Sequence, residues 1–92
     1  GLDYPGVSPI HCFLKDTKRA RYTSATDEGT LDAYKLVTKL EKINPSLEPS
    51  HAFAEAIKIA PKLNKDTIII VNSCGDAKKD RDILKERLGK IN

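Results

Sequence analysis

A chain of 92 residues with 39% hydrophobic and 32% charged side chains can form one domain, or part of one, around a small core, and it is too apolar for a disordered segment. The net charge of +3 is spread over interleaved Lys, Arg, Asp and Glu, and three Tyr and two Phe offer few stacking platforms, which argues against a nucleic-acid partner. No apolar run approaches membrane-spanning length, so no membrane partner is expected, and Cys12 and Cys74 lack CxxC or Cys/His spacing and read as free thiols of a reducing, cytoplasmic compartment.

Residues 1–9 hold two prolines and two glycines and therefore form a loop. Asp3, between Leu2 and Tyr4, is either a buried carboxylate in need of a cation or an Asx-turn residue. The absence of Met at position 1, or anywhere else, implies that Gly1 is not a natural start. Pro9 suits the first turn of a helix capped by Ser8, with Ile10, Phe13 and Leu14 as its apolar stripe. Residues 20–25 alternate as a short strand does. Thr26 then caps a second helix whose first turn carries Asp27 and Glu28. Leu31, Tyr34, Val37 and Leu40 mark its buried face, and Gly29 sits where a capping-box Glu would help.

Residues 43–47 allow a small sheet segment, after which a third helix begins at residues 48–51 with Pro49 in its first turn. Ala52, Phe53, Ala56, Ile57 and Ala60 give that helix an apolar face suited to close packing, and Pro61 and Asn64 end it. His51 reads as a hydrogen-bonded structural residue, since no second His or Cys is spaced to share a metal. Thr67-Ile68-Ile69-Ile70-Val71 is an unbroken β-branched run, the pattern of a strand buried on both faces of a parallel sheet. It ends in Asn72, Ser73, Cys74 and Gly75, which stand either at the edge of a site, where α/β sheets bind ligands, or in an ordinary glycine turn. Residues 80–88 form the last helix, with Ile83, Leu84, Leu88 and Ile91 at helical spacing and Gly89 as its stop. The order predicts a single α/β piece over 1–92, a partial three-layer sandwich of short parallel strands alternating with helices.

Several motifs occur in an order that resembles the C-terminal part of tryptophan synthase beta chains. They are Gly1-Leu2-Asp3-Tyr4-Pro5-Gly6-Val7, Ser24-Ala25-Thr26-Asp27-Glu28, Leu47-Glu48 with Ser50-His51-Ala52, Val71-Asn72 before a Cys-Gly turn, and Asp82-Ile83-Leu84-Lys85. The resemblance implies the fold of the pyridoxal-phosphate enzymes that include cysteine synthases and serine dehydratases. It also implies β-replacement of L-serine by indole to give L-tryptophan. In that family Asp3 corresponds to the aspartate that pairs with an arginine as the site closes, and Glu48 to a glutamate beside the cofactor ring. Cys74 falls where the family has a serine on the pyridine nitrogen, although an alternative alignment puts Ser73 there, and Gly75 belongs to the same cofactor-binding turn. Carbonyls of Leu2, Tyr4 and Gly6 correspond to ligands of an activating monovalent cation, sodium or potassium. The implied partners are an upstream catalytic portion, an alpha subunit that delivers indole, and a second copy in a homodimer.

The chain departs from the family pattern in Ser8, where a glycine is usual, and in Asp76, Ala77 and Lys78, where Arg, Gly and Asp are usual; the approach to Asp82 is also shortened. The Schiff-base lysine and the phosphate loop of the family lie upstream of the matched region, so the 92 residues alone are expected to be inactive. The alternative is a non-catalytic binding or assembly domain that keeps the fold.

Overall fold

The computed structural model describes Leu2 and residues 4–89. Four α-helices organise the chain: α1 (Pro9–Asp16), α2 (Asp27–Glu41), α3 (Leu47–Ile59) and α4 (Arg81–Leu88), with short 3-10 turns at Ala60–Lys62 and Ala77–Asp80. The expected starts of the first two helices are found: the Ser8 hydroxyl accepts from the Ile10 amide and the Thr26 hydroxyl from the Gly29 amide. Helix α2 ends at Lys42, which adopts a left-handed φ of 60° and turns the chain toward α3.

Helices α2 and α3 pack against each other, and Ala33, Tyr34 and Val37 of α2 supply most of the core. On α3 the small residues allow close approach, and Ser50 is fully buried, its hydroxyl returned to the Ser46 carbonyl at 2.7 Å. Leu84 brings α4 into the core. Leu40, expected inside, is exposed, because the chain turns at Lys42 and nothing described here covers the last turn of α2. Ile91 lies outside the described residues.

Among the described residues no strand is formed, so the α/β expectation holds for the helices and not for the sheet. Residues 20–25, 43–46 and 67–71 have no regular secondary structure and no ladder partners. The physical reason is that a strand exists only when hydrogen-bonded to another, and no backbone hydrogen bond joins the three stretches. The 67–71 run still alternates. Ile69, Ile70 and Val71 all line a cavity with Ala52, Ala56 and Ile59 of α3, and exposure falls from 86% and 91% at Ile68 and Ile70 to 39% at Ile69. One side of the run is therefore partly shielded, and neither is buried. Helix α1 is in the same condition, with Ile10 and Phe13 of its apolar stripe exposed.

The total exposed area carries the same message. A folded monomer of 10.2 kDa exposes about 5,300 Å² by the usual size scaling, whereas this chain exposes 7676 Å². Its radius of gyration is 14.5 Å, against about 12 Å for a compact domain of this length. The excess area, roughly 2,400 Å², is larger than one side of a standard protein interface.

Candidate functional site

The N-terminus of α3 and the turn after residue 71 form one assembly. Ser46 precedes α3 but does not cap it; its hydroxyl instead donates to the Cys74 carbonyl at 2.7 Å. The cap comes from Asp80, nearly fully buried, whose carboxylate accepts from the Leu47 amide at 2.8 Å. A charged acceptor at this position also faces the positive end of α3. Asp80→Ala would leave the Leu47 amide unsatisfied and should destabilise the fold by about 1–2 kcal/mol, with Asp80→Asn recovering most of the loss. An unchanged midpoint of chemical denaturation in the alanine variant would remove Asp80 from this role.

Gly75 completes the contact. Its φ is +92°, and a Cβ built there would lie 2.6 Å from the Ser46 hydroxyl and 3.9 Å from Glu48 Oε2. Only glycine satisfies both the backbone angle and the close approach to α3. Glu48, in the first turn of α3, pairs through Oε1 with Lys79 from the Ala77–Asp80 turn. The hydrogen bond from Lys79 holds the Glu48 carboxyl below the usual carboxylate range, helped by a backbone hydrogen bond and opposed by burial. The same bond raises Lys79 above the ordinary lysine value. Glu48 Oε2 is buried and has no hydrogen-bond partner. An orphaned anionic oxygen next to a glycine turn is an acceptor open to a polar group of a ligand.

Two cavities meet at Glu48. One, of about 590 Å³, is floored by α3 and lined by the unpaired segments at 23–25 and 69–72. The other, of about 580 Å³, is lined by Leu2, Tyr4, Leu47, Glu48, Lys79 and Ile83 among others. The structure thus brings Glu48, Gly75, Leu2 and Tyr4 into one neighbourhood. Ser73 and Cys74 are exposed on the turn, and the Cys74 thiol is free. Gly6 is exposed in the opening loop, and Asp3 lies outside the described residues. His51 Nδ1 donates to the Leu47 carbonyl, 2.7 Å away, the structural role expected of it. Among the described residues no cluster of His, Cys, Asp and Glu is arranged to hold a metal ion.

Lys79 and Asp80 were not among the residues singled out in the sequence. Asp80 reads there only as the first residue of the last helix, and Lys79 lies just before it. Their partners Glu48 and Leu47 stand more than thirty positions earlier, and no spacing rule joins them.

No family model matches the chain. Curated relatives do. The chain is 57% identical over 88 residues to a protein of Fusobacterium nucleatum, a match covering 96% of this chain and 22% of the relative. It is 53% identical over 89 residues to one of Cereibacter sphaeroides, covering 97% of this chain and 22% of the relative. It is 51% identical over 89 residues to one of Ruegeria sp., covering 97% and 21%. Each of these relatives is named tryptophan synthase beta chain, and this chain spans about a fifth of their length.

Proposed function

This chain is homologous over nearly its whole length to tryptophan synthase beta chains, and from that premise we propose that it is the C-terminal part of a longer enzyme of that type. The activity proposed for the longer protein is β-replacement, joining L-serine and indole into L-tryptophan. The observation that supports this most is the meeting of Glu48, with its orphaned buried oxygen, and the Cys74–Gly75 turn.

Pyridoxal phosphate fits this wall through the donor set it presents. Cys74, or Ser73 beside it, would face the pyridine nitrogen, Gly75 would keep the turn close to α3, and Glu48 would stand beside the ring. When bound, the cofactor supplies the electron sink that β-replacement needs. The chain's own residues shape the wall. Ser46 and Asp80 fix the turn and the start of α3, so Glu48 is held on a rigid element. A thiol at Cys74 carries no formal charge as long as it is protonated, so it leaves the pyridine nitrogen without an anionic partner. The lysine that holds the cofactor belongs, on this reading, to the other four-fifths of the protein, and the 92 residues alone are inactive.

The same reading accounts for the bare surfaces. The extended runs at 20–25 and 67–71 become parallel strands of an α/β sandwich completed by the upstream portion, which covers Ile68, Ile70 and the stripe of α1. Carbonyls of Leu2, Tyr4 and Gly6 help bind a sodium or potassium ion, and Asp3 is the latch that pairs with an arginine on closure. An alpha subunit and a second beta copy are the partners of the longer protein, and the cytoplasm is its compartment.

The rival reading, a non-catalytic binding or assembly module, draws on the altered stretch after Gly75. That stretch is ordered, however: Asp76 accepts from the Lys78 amide at 2.9 Å and starts the turn that delivers Lys79 and Asp80.

The test is the protein captured from its source cells. An intact mass several times that of this chain, together with pyridoxal absorbance, is expected, and in that protein Asp3→Ala should keep the absorbance while losing most β-replacement. A native mass equal to this chain, with no such absorbance, would reject the enzyme reading. Loss of cofactor binding in Asp3→Ala would reject the latch alone.

A further inference from the structure

Glu48 sits at an unusual junction. One of its oxygens meets the Lys79 ammonium, and the other is buried, unpartnered and directed toward the glycine turn. A bare carboxylate in that place would present a full negative charge to whatever lies beside the turn, where partial burial weakens screening by water. Lys79 is well placed to cancel it. It is carried by a turn that the Asp76 side chain closes internally and that Asp80, accepting from the Leu47 amide, ties to α3. The turn cannot move away from α3 without breaking the helix cap.

We propose that Lys79 is a positioning residue of the cofactor wall: by pairing with Glu48 it neutralises that carboxylate, while Asp80 stays tied to the Leu47 amide, and so keeps the pyridine nitrogen from being drawn into its protonated form. This rests on the pyridoxal-phosphate reading above. Lys79 acts through Glu48 and need not touch the cofactor. Its role is distinct from that of Cys74, which sets the direct partner of the nitrogen, while the Lys79–Glu48 pair sets the field around it.

The full-length protein loaded with pyridoxal phosphate, without substrate, gives the readout. The balance of the two visible absorption bands of the bound cofactor is measured at fixed pH, and the dissociation constant for pyridoxal phosphate is measured by fluorescence. In Lys79→Met the unpaired Glu48 carboxylate should change the band ratio severalfold, approaching tenfold if the ring nitrogen shifts by about one pKa unit. Lys79→Arg should keep the wild-type ratio. The double variant Glu48→Gln with Lys79→Met restores zero net charge at the pair and should return the ratio to that of the wild type, a coupling that a merely structural lysine would not produce. If Lys79→Met does not fold, Glu48→Gln alone carries the test, because it leaves the ammonium unpaired and should move the ratio the opposite way.

A wild-type ratio in Lys79→Met overturns the proposal, as does a change that the double variant fails to reverse, or an unmoved ratio in Glu48→Gln where that variant carries the test. A full-length wild-type protein that binds no pyridoxal phosphate overturns the functional reading itself, and this proposal with it.

Discussion

Cys74→Asp is expected to lower β-replacement turnover of the full-length protein on the order of a hundredfold, while Cys74→Ser leaves it unchanged or slightly raised. The difference is one of charge. A thiol or hydroxyl on the pyridine nitrogen leaves it neutral, and a hydroxyl is the better donor and acceptor of the two. A carboxylate would draw a proton onto the ring and spread charge into it at the wrong stage, favouring reactions other than loss and replacement at the β-carbon. The Cys74 side chain is exposed on the turn, so neither substitution meets a packing obstacle here. Steady-state turnover with L-serine and indole separates the two variants. Equal rates in all three proteins would show that residue 74 does not face the nitrogen, and Ser73 would then be the residue to replace.

Gly75→Ala tests the geometry that carries Cys74. The added Cβ would lie 2.6 Å from the Ser46 hydroxyl, which must then leave the Cys74 carbonyl, and the backbone angle of +92° is strained for any L side chain. Loss of one partly buried hydrogen bond and the cost of the positive φ together amount to about 2–3 kcal/mol. A lower midpoint of denaturant unfolding is expected, along with weaker retention of pyridoxal phosphate on dilution. Ser46→Gly in the same background should recover only the steric share of the loss. An alanine variant as stable as the wild type would mean that the turn has room to shift, and that the close approach to α3 is not required.

How far the sequence could be read depended on the range of each interaction. Helix starts were legible because their signals are local: Ser8 and Thr26 meet amides two and three residues away. Tyr34 and Val37 were legible as core because they face α3 within the same chain. Leu40, Ile10 and Phe13 have the same apolar character and are exposed, since nothing among the described residues packs over them. The 67–71 run shows this most sharply. Its composition describes burial on two faces, its surroundings here shield one side only in part, and its backbone remains unpaired. For the site, the polar end of the 67–71 run marked Ser73, Cys74 and Gly75 as either a site edge or an ordinary turn, resemblance alone gave them and Glu48 their roles, and the geometry joins Glu48 to the glycine turn. The Lys79 and Asp80 contacts had no signal at all, because an ion pair or a cap formed across thirty residues leaves no periodic trace.

That long-range cap also bears on timing. Helix α3 begins at Leu47, yet the group that satisfies its first amide belongs to Asp80, which a ribosome adds later, and Cys74 and Lys79 also follow α3 in the chain. Closing a loop of this length costs chain entropy before any contact repays it. The start of α3, which carries Glu48, therefore becomes rigid only once residues 74–80 have joined it, and a nascent chain still short of Asp80 would hold α3 with a frayed first turn.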